Sequence, residues 1–341
     1  MKRRWPIIRG CLAAAAMVVL ILDTKTALAG AQKGLNLCLQ TVIPSLFPFF
    51  VLSILVTGAV TGRSFRFLSP LRSLFRVPPG SEGLLVAGLV GGYPVGAQCV
   101  SQAFENGQLS GGDASRLLVV CNNCGPAFLF GMTAAVFNLW YVPWLLWGIQ
   151  IISSLAVAWV VPSPCLPVAH RNSASISLIR SLDRALKVMA AVCGWVILFR
   201  VIIAFLDGWV LWLLPLEAQV SLSGVLELSN GCFELYRLNN MGLQFIICAG
   251  MLNFGGICVA LQTAAVTAGE LDGSNYLPGK VLQCAVSVMC AWIAQKIVFP
   301  PEQQYRCGIL VVSVSAVIAV IFGFVLRKKK NSSSIPEKLG V

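Results

Sequence analysis

Charge is scarce in this 341-residue chain: 11% of its residues are charged and 57% are hydrophobic, whereas soluble domains carry roughly a quarter charged residues. So little polar surface cannot cover a water-soluble globule, and a mean hydropathy of +0.82 places the chain among polytopic membrane proteins. Histidine is nearly absent. The one copy, His170, sits in a Pro/Ser-rich loop, which removes the usual base of nucleophilic catalysis and the usual ligand of catalytic zinc. Cys121-Asn122-Asn123-Cys124 has CxxC spacing, but no second CxxC or histidine pair accompanies it, so zinc and redox chemistry both lack partners. Neither His-Glu-x-x-His nor a Gly-x-x-x-x-Gly-Lys-Ser/Thr loop occurs, and Ser45 and Ser53 have no histidine nearby in sequence. No enzyme activity, metal site or ATP-driven pumping by this chain alone is expected. Acidic residues are also few, 13 against 25 Lys and Arg, for a net charge of +12. The basic residues lie in short clusters between apolar runs, as cytoplasmic loops do, and no nucleic-acid partner is expected.

Those clusters set a topology. Lys2-Arg3-Arg4, the run Cys11–Leu22 and Ala27-Leu28-Ala29 would serve as a signal peptide. An uncleaved first helix is favoured, because the run extends from Trp5 to Leu22 and spans with modest thinning. With the first cluster inside, a helix at about 5–22 exits and one at about 35–60 returns to Arg63, Arg66, Arg72 and Arg76. Gly88, Gly91, Gly92, Pro94 and Gly96 are too many breakers for one straight crossing, so 84–107 reads as a re-entrant hairpin. Crossings at about 113–138 and 140–161 lead to an inside loop with Arg171, Arg180, Arg184 and Lys187, and a helix at 188–206 goes out. A second hairpin, from outside, covers 210–236; crossings at about 240–268, 279–299 and 307–326 end at Arg327-Lys328-Lys329-Lys330. The expected fold is all-α and polytopic, with eight transmembrane helices, two re-entrant hairpins and both termini cytoplasmic. Its divisions are 1–78 (N-terminal helices), 79–161 (first repeat), 162–187 (cytoplasmic loop), 188–300 (second repeat) and 301–341 (last helix and basic tail).

The repeat rests on two phrases. Asn123-Cys124-Gly125 running to Thr133-Ala134-Ala135-Val136 matches Asn253-Phe254-Gly255 running to Thr263-Ala264-Ala265-Val266 at six of fourteen positions, inside two apolar segments. A rival register pairs Gly91-Gly92 with Gly255-Gly256, but it needs a gap and aligns a hairpin with a helix. Asn and Gly in mid-membrane mark a broken helix, whose free carbonyls attract cations and whose free N–H groups attract anionic or polar groups. Pro126 suits the first turn of a new half-helix. The alternative is that Asn and Gly serve close helix packing. In the hairpins, Gly91-Gly92-Tyr93-Pro94 and Glu227-Leu228-Ser229-Asn230-Gly231 are the candidate tips. Glu227, in mid-segment, is a candidate ligand, proton carrier or ion-pair partner. Arg200 is its natural partner, and could instead meet an anionic substrate or snorkel to a surface.

Ala29 to Ser53, with Ile43-Pro44-Ser45-Leu46-Phe47-Pro48-Phe49, and the motif from Gly91-Gly92-Tyr93-Pro94 through Arg116-Leu117-Leu118 to Gly125-Pro126 resemble the YlbJ-type sporulation integral membrane proteins. That family carries the nucleoside-recognition, or gate, domain. Cys248 to Ile257 is similar to the last broken helix of concentrative nucleoside transporters, in which two hairpin tips and two broken helices enclose the substrate. The resemblance implies an inverted repeat and a substrate site at Gly92, Tyr93, Asn122, Asn123, Glu227 and Asn253, to which the tip residues Ser229 and Asn230, with Arg200, are joined as candidates. It departs from nucleoside carriers at Gly92-Tyr93, where their polar hairpin residues are missing. It further implies a role in endospore formation, in the mother-cell-derived outer forespore membrane, moving dipicolinate from the mother cell towards the forespore. No cofactor is implied beyond a coupling ion such as Na+ or H+. The implied partners are the small-molecule substrate, the lipid bilayer, and a second copy or other sporulation membrane proteins.

Overall fold

A computed structural model describes residues 5–60, 66–161, 177–267, 271–305 and 313–323. Lys2-Arg3-Arg4, Arg63, His170, Arg171 and the basic run 327–330 lie outside the described residues. Every regular element among those described is a helix, as a bilayer requires of a chain that must satisfy its backbone internally. Among the described residues, six helical segments are long and apolar enough to cross a membrane: Thr24–Val56, Gly111–Phe137, Val142–Val160, Leu178–Trp209, Met241–Thr267 and Gly273–Val298. The first and last of the eight expected crossings correspond to shorter apolar helices, Gly10–Leu22 and Ser313–Gly323.

Helix α1 (Trp5–Leu22) is separated from α2 (Thr24–Leu37) by Asp23, whose carboxylate caps α2 by accepting the Thr26 N–H at 3.1 Å. The second crossing thus begins about ten residues earlier than its apolar run implied, because a good cap starts a helix that polar Lys25, Gln32 and Lys33 do not interrupt. A π turn at Cys38–Val42 joins α2 to α3 (Ile43–Val60). Gly30 and Gly34 let α2 lie directly on α10 (Leu178–Trp209): a Cβ on Gly34 would stand 2.9 Å from the Ile197 Cα. Small residues four apart are how membrane helices bring backbones together. Helix α10 starts well before the expected 188, since Ser177 caps it, so Arg180, Arg184 and Lys187 ride on a helix rather than in a loop.

After the short α4 (Ser69–Phe75), two halves of the same composition follow. The first is a hairpin, α5 (Glu82–Gly91) and α6 (Val95–Glu105), then an interrupted helix, α7 (Gly111–Cys121) and α8 (Pro126–Phe137), then α9 (Val142–Val160). After α10 come a hairpin, α11 (Leu216–Leu226) and α12 (Leu228–Glu234), an interrupted helix, α13 (Met241–Phe254) and α14 (Gly256–Thr267), and α15 (Tyr276–Val298). Arg116 of α7, 2% exposed, fastens the first half. Its guanidinium donates to the carbonyls of Phe75 (2.7 Å), Arg76, Ala158 (2.6 Å) and Val161 (3.0 Å), so its charge faces the free C-terminal ends of α4 and α9.

Candidate functional site: two interrupted helices and two hairpin tips

Breaking a helix strands carbonyls, and each stranded carbonyl must find a donor if it is buried. At the first break α7 stops at Cys121, Asn122 leaves helical geometry (φ −89°, ψ 81°) and Gly125 is extended before Pro126 opens α8. Asn123 turns its amide back to donate to the Val120 carbonyl (2.6 Å), and its backbone N–H donates to Cys121 O (3.1 Å). The Asn123 carbonyl receives the Tyr93 N–H (2.8 Å), and the Cys124 carbonyl receives the Gln150 amide (2.8 Å). At the second break the Gly255 N–H still reaches Met251 O (2.8 Å). Asn253 donates back to Ala249 O (2.8 Å), and the Leu252 carbonyl receives the Tyr93 hydroxyl (3.0 Å). The two asparagines therefore do the same work, each donating into its own half-helix.

Their oxygens meet. Gln283 of α15 points its amide nitrogen at Asn123 Oδ1 (2.7 Å), Ser154 Oγ (2.8 Å) and Asn253 Oδ1 (3.1 Å), two hydrogens shared among three acceptors. Lys280, one turn earlier and 1% exposed, donates to Asn123 Oδ1 and Gln283 Oε1, both at 2.9 Å. On the other flank Asn122 donates to Thr263 Oγ1 (2.8 Å) and the Tyr276 hydroxyl (2.9 Å). Its own Oδ1, and Oε1 of Gln150, are buried without a partner among the described residues.

The hairpin tips close over the breaks from the opposite side. Gly92 (φ +70°) abuts the first break so closely that a Cβ there would lie 2.5 Å from Gly125 N. Gly256 faces the second tip, where a Cβ would lie 3.1 Å from Gly224 O and 3.4 Å from both Leu226 O and Leu228 N. Between the tips lies a cavity of about 40 Å³, lined by Gly92, Tyr93, Gly125, Phe128, Glu227, Ser229 and Gln262, with Leu46, Phe49 and Phe50 of α3 as its apolar wall. It has room for a water or two. A wider, more polar vestibule of about 470 Å³ shares Val192 and Gln262 with it and carries Gln98, Glu105, Arg184 and Lys187.

Of the residues expected at the site, Gly92, Tyr93, Glu227 and Ser229 line the cavity, whereas Asn122, Asn123, Asn230, Asn253 and Arg200 do not. The three break asparagines face Gln283, Lys280 and Tyr276 instead. Glu227 does not pair with Arg200. Its carboxylate caps α12, accepting the N–H groups of Ser229 (3.0 Å) and Asn230 (2.7 Å) and the Asn230 amide (2.8 Å), which places an acid at the positive end of a helix. Arg200 of α10 instead pairs at 2.9 Å with Glu234, seven residues beyond Glu227 along the chain. Gln262, Gln283 and Lys280 join the site only in the folded structure. Lys280 is the one of the three with a readable signal, a lysine beside an apolar stretch.

One curated relative is similar to this chain in sequence. The sporulation integral membrane protein YlbJ of Bacillus subtilis is 27% identical over 312 residues, covering 77% of this chain and 76% of the relative. The chain is thus similar to YlbJ over about three quarters of either sequence. The likeness inferred from the Ile43–Phe49 and Gly91–Pro126 motifs is thereby borne out, and with six long apolar helices the chain is an integral membrane protein. No family model matches the chain, and no solved structure matches it significantly.

Proposed function

We propose that this YlbJ-like chain is a secondary transporter of a small polar or anionic metabolite, acting in sporulation, with dipicolinate carried from mother cell towards forespore as the substrate. The observation that carries the reading is the convergence of both hairpin tips on both helix interruptions, around a cavity whose backbone is irregular only where protein encloses it. The relationship of the two halves is read as an inverted repeat. The N-terminus of α8 opens at the cavity with Gly125, Ala127 and Phe128, and its unpaired N–H groups suit a carboxylate. Arg184 and Lys187 in the vestibule favour anions at its mouth. Glu227, already held by α12, adds a negative wall that orients the ring away from it. A cavity this small is a closed state, so the substrate needs the tips to part from the breaks. The Gly92–Gly125 contact and the Tyr93–Leu252 bond are the joints that open.

Flux into proteoliposomes with labelled dipicolinate and, separately, uridine tests the assignment. Dipicolinate flux without uridine flux is expected. Uridine flux alone would make the chain a nucleoside carrier. No flux of either, from monodisperse protein, would make it a scaffold of a sporulation complex whose breaks serve packing.

A further inference from the structure

Lys280 is a basic side chain buried inside the fold. Among the described residues no carboxylate pairs with it. Its ammonium is held by two neutral amide oxygens, Asn123 Oδ1 and Gln283 Oε1, with the Tyr276 ring 5.8 Å away. Removing an ammonium from water costs several kcal/mol, which neutral acceptors repay only in part, and such residues within a membrane are kept for a task. The position is specific. Asn123 follows the C-terminal end of α7, where the half-helix presents its negative pole. Through Gln283 the same oxygen is joined to Asn253 at the end of α13. Carbonyl oxygens and half-helix C-terminal ends at a break are where a carrier binds a dissolved Na+. Here a covalently tethered amino group stands on side-chain amide oxygens beside the end of α7.

We propose that Lys280 is a built-in cation that replaces a dissolved coupling ion: it neutralises the ends of the interrupted helices, and the carrier needs no Na+. The proposal deepens the transporter reading and rests on it, but half of its test needs no transport. Purified wild-type protein is expected to have the same melting temperature in NaCl and in choline chloride. Lys280→Ala removes the ammonium and leaves room, with Asn123 Oδ1, Gln283 Oε1 and water as ligands. Its melting temperature is expected to rise by about 4 °C or more in Na+ over choline, as site occupancy dictates. Lys280→Met fills the same space without charge and is expected to be destabilised and indifferent to Na+. Dipicolinate flux is expected to be equal in both salts for wild type and to fall about tenfold in Lys280→Ala without Na+, recovering with it.

A wild-type protein stabilised or driven by Na+ overturns the proposal. So does a Lys280→Ala protein indifferent to Na+, K+ and Li+, or a Lys280→Met protein that matches wild type. If Lys280→Ala does not survive purification in choline, its yield in NaCl becomes the readout, and loss in both salts counts against a latent cation site. Absence of dipicolinate flux in wild type overturns the transport assignment while the melting comparison still decides the role of Lys280.

Discussion

The two helix interruptions solve one problem with different chemistry. The first is wide: four residues, Asn122 to Gly125, leave the helix without any left-handed residue, and Pro126 restarts it. The second is narrow: Gly255 (φ +82°) and Gly256 (φ +84°) interrupt the helix within two residues. A wide break exposes more backbone and needs more outside donors, which Tyr93 and Gln150 supply. A tight left-handed break keeps its own N–H bonded and needs little beyond the Tyr93 hydroxyl. The lesson is that the first break depends on its neighbours while the second depends on its glycines, and substitutions should separate the two.

The largest effect is expected at Gly92, where the first tip meets the wide break. A methyl group there would lie 2.5 Å from Gly125 N and 2.6 Å from its Cα, on a backbone at φ +70°. Neither obstacle is a flexible side chain, so Gly92→Ala should cost about 3 kcal/mol or more and uncouple the tip from the break. Thermal unfolding in detergent measures the first effect and flux the second. A Gly92→Ala protein with wild-type melting and flux would show that the tip is not seated as described.

Gln283→Leu comes next, and it acts on both breaks at once. Leucine keeps most of the volume but leaves the oxygens of Asn123 and Asn253 short of a donor, at about 1–3 kcal/mol for each unsatisfied group. Because Asn123 retains Lys280 as a donor, the narrow break should suffer more, reversing the order of dependence elsewhere. A double-mutant cycle of Gln283→Leu with Asn253→Ala should give strong non-additivity, and one with Asn123→Ala less. Additive costs in both cycles would remove Gln283 as the clamp between the halves.

Much of this was legible in the sequence. Gly91-Gly92 and the Asn-Gly pairs announce hairpin tips and breaks because the breakers are few, local in effect and out of place in apolar runs. The register pairing Asn123 with Asn253 places both at the ends of first half-helices, as the structure does. What the sequence concealed were the partners. Gln283 and Lys280 lie on a helix whose Pro278 and Gly279 fall in its first turn and do not interrupt it, and Gln150 is flanked by apolar residues on α9, so only tertiary packing brings them to the breaks. The pairing of Arg200 was misread for a similar reason: Glu227 and Glu234 are both acids on the second hairpin, and only the cap geometry of α12 commits Glu227 to its own backbone. The sequence motif predicts asparagines that face a substrate, yet a break has two sides, and composition does not say which side a side chain takes.

The smallest effect, and the finest discriminator between the breaks, is expected at Gly255. Its left-handed geometry excludes β-branched residues but is open to asparagine, which visits that region at modest cost. A Cβ there would rest 3.4 Å from the Tyr93 ring, an ordinary contact. Gly255→Asn should therefore lose about 1 kcal/mol, and Gly255→Val clearly more. At the corresponding glycine of the wide break the cause is different. Gly125 has a φ of −71° that any residue adopts, but a Cβ there would press 3.1 Å from Gly92 Cα. Gly125→Asn and Gly125→Val should then be equally harmful, because crowding and not backbone geometry decides. Melting temperatures of the four variants give the answer. If Asn and Val differ at Gly125 as much as at Gly255, the two breaks are held by the same physics, and the distinction between a neighbour-dependent and a glycine-dependent interruption fails.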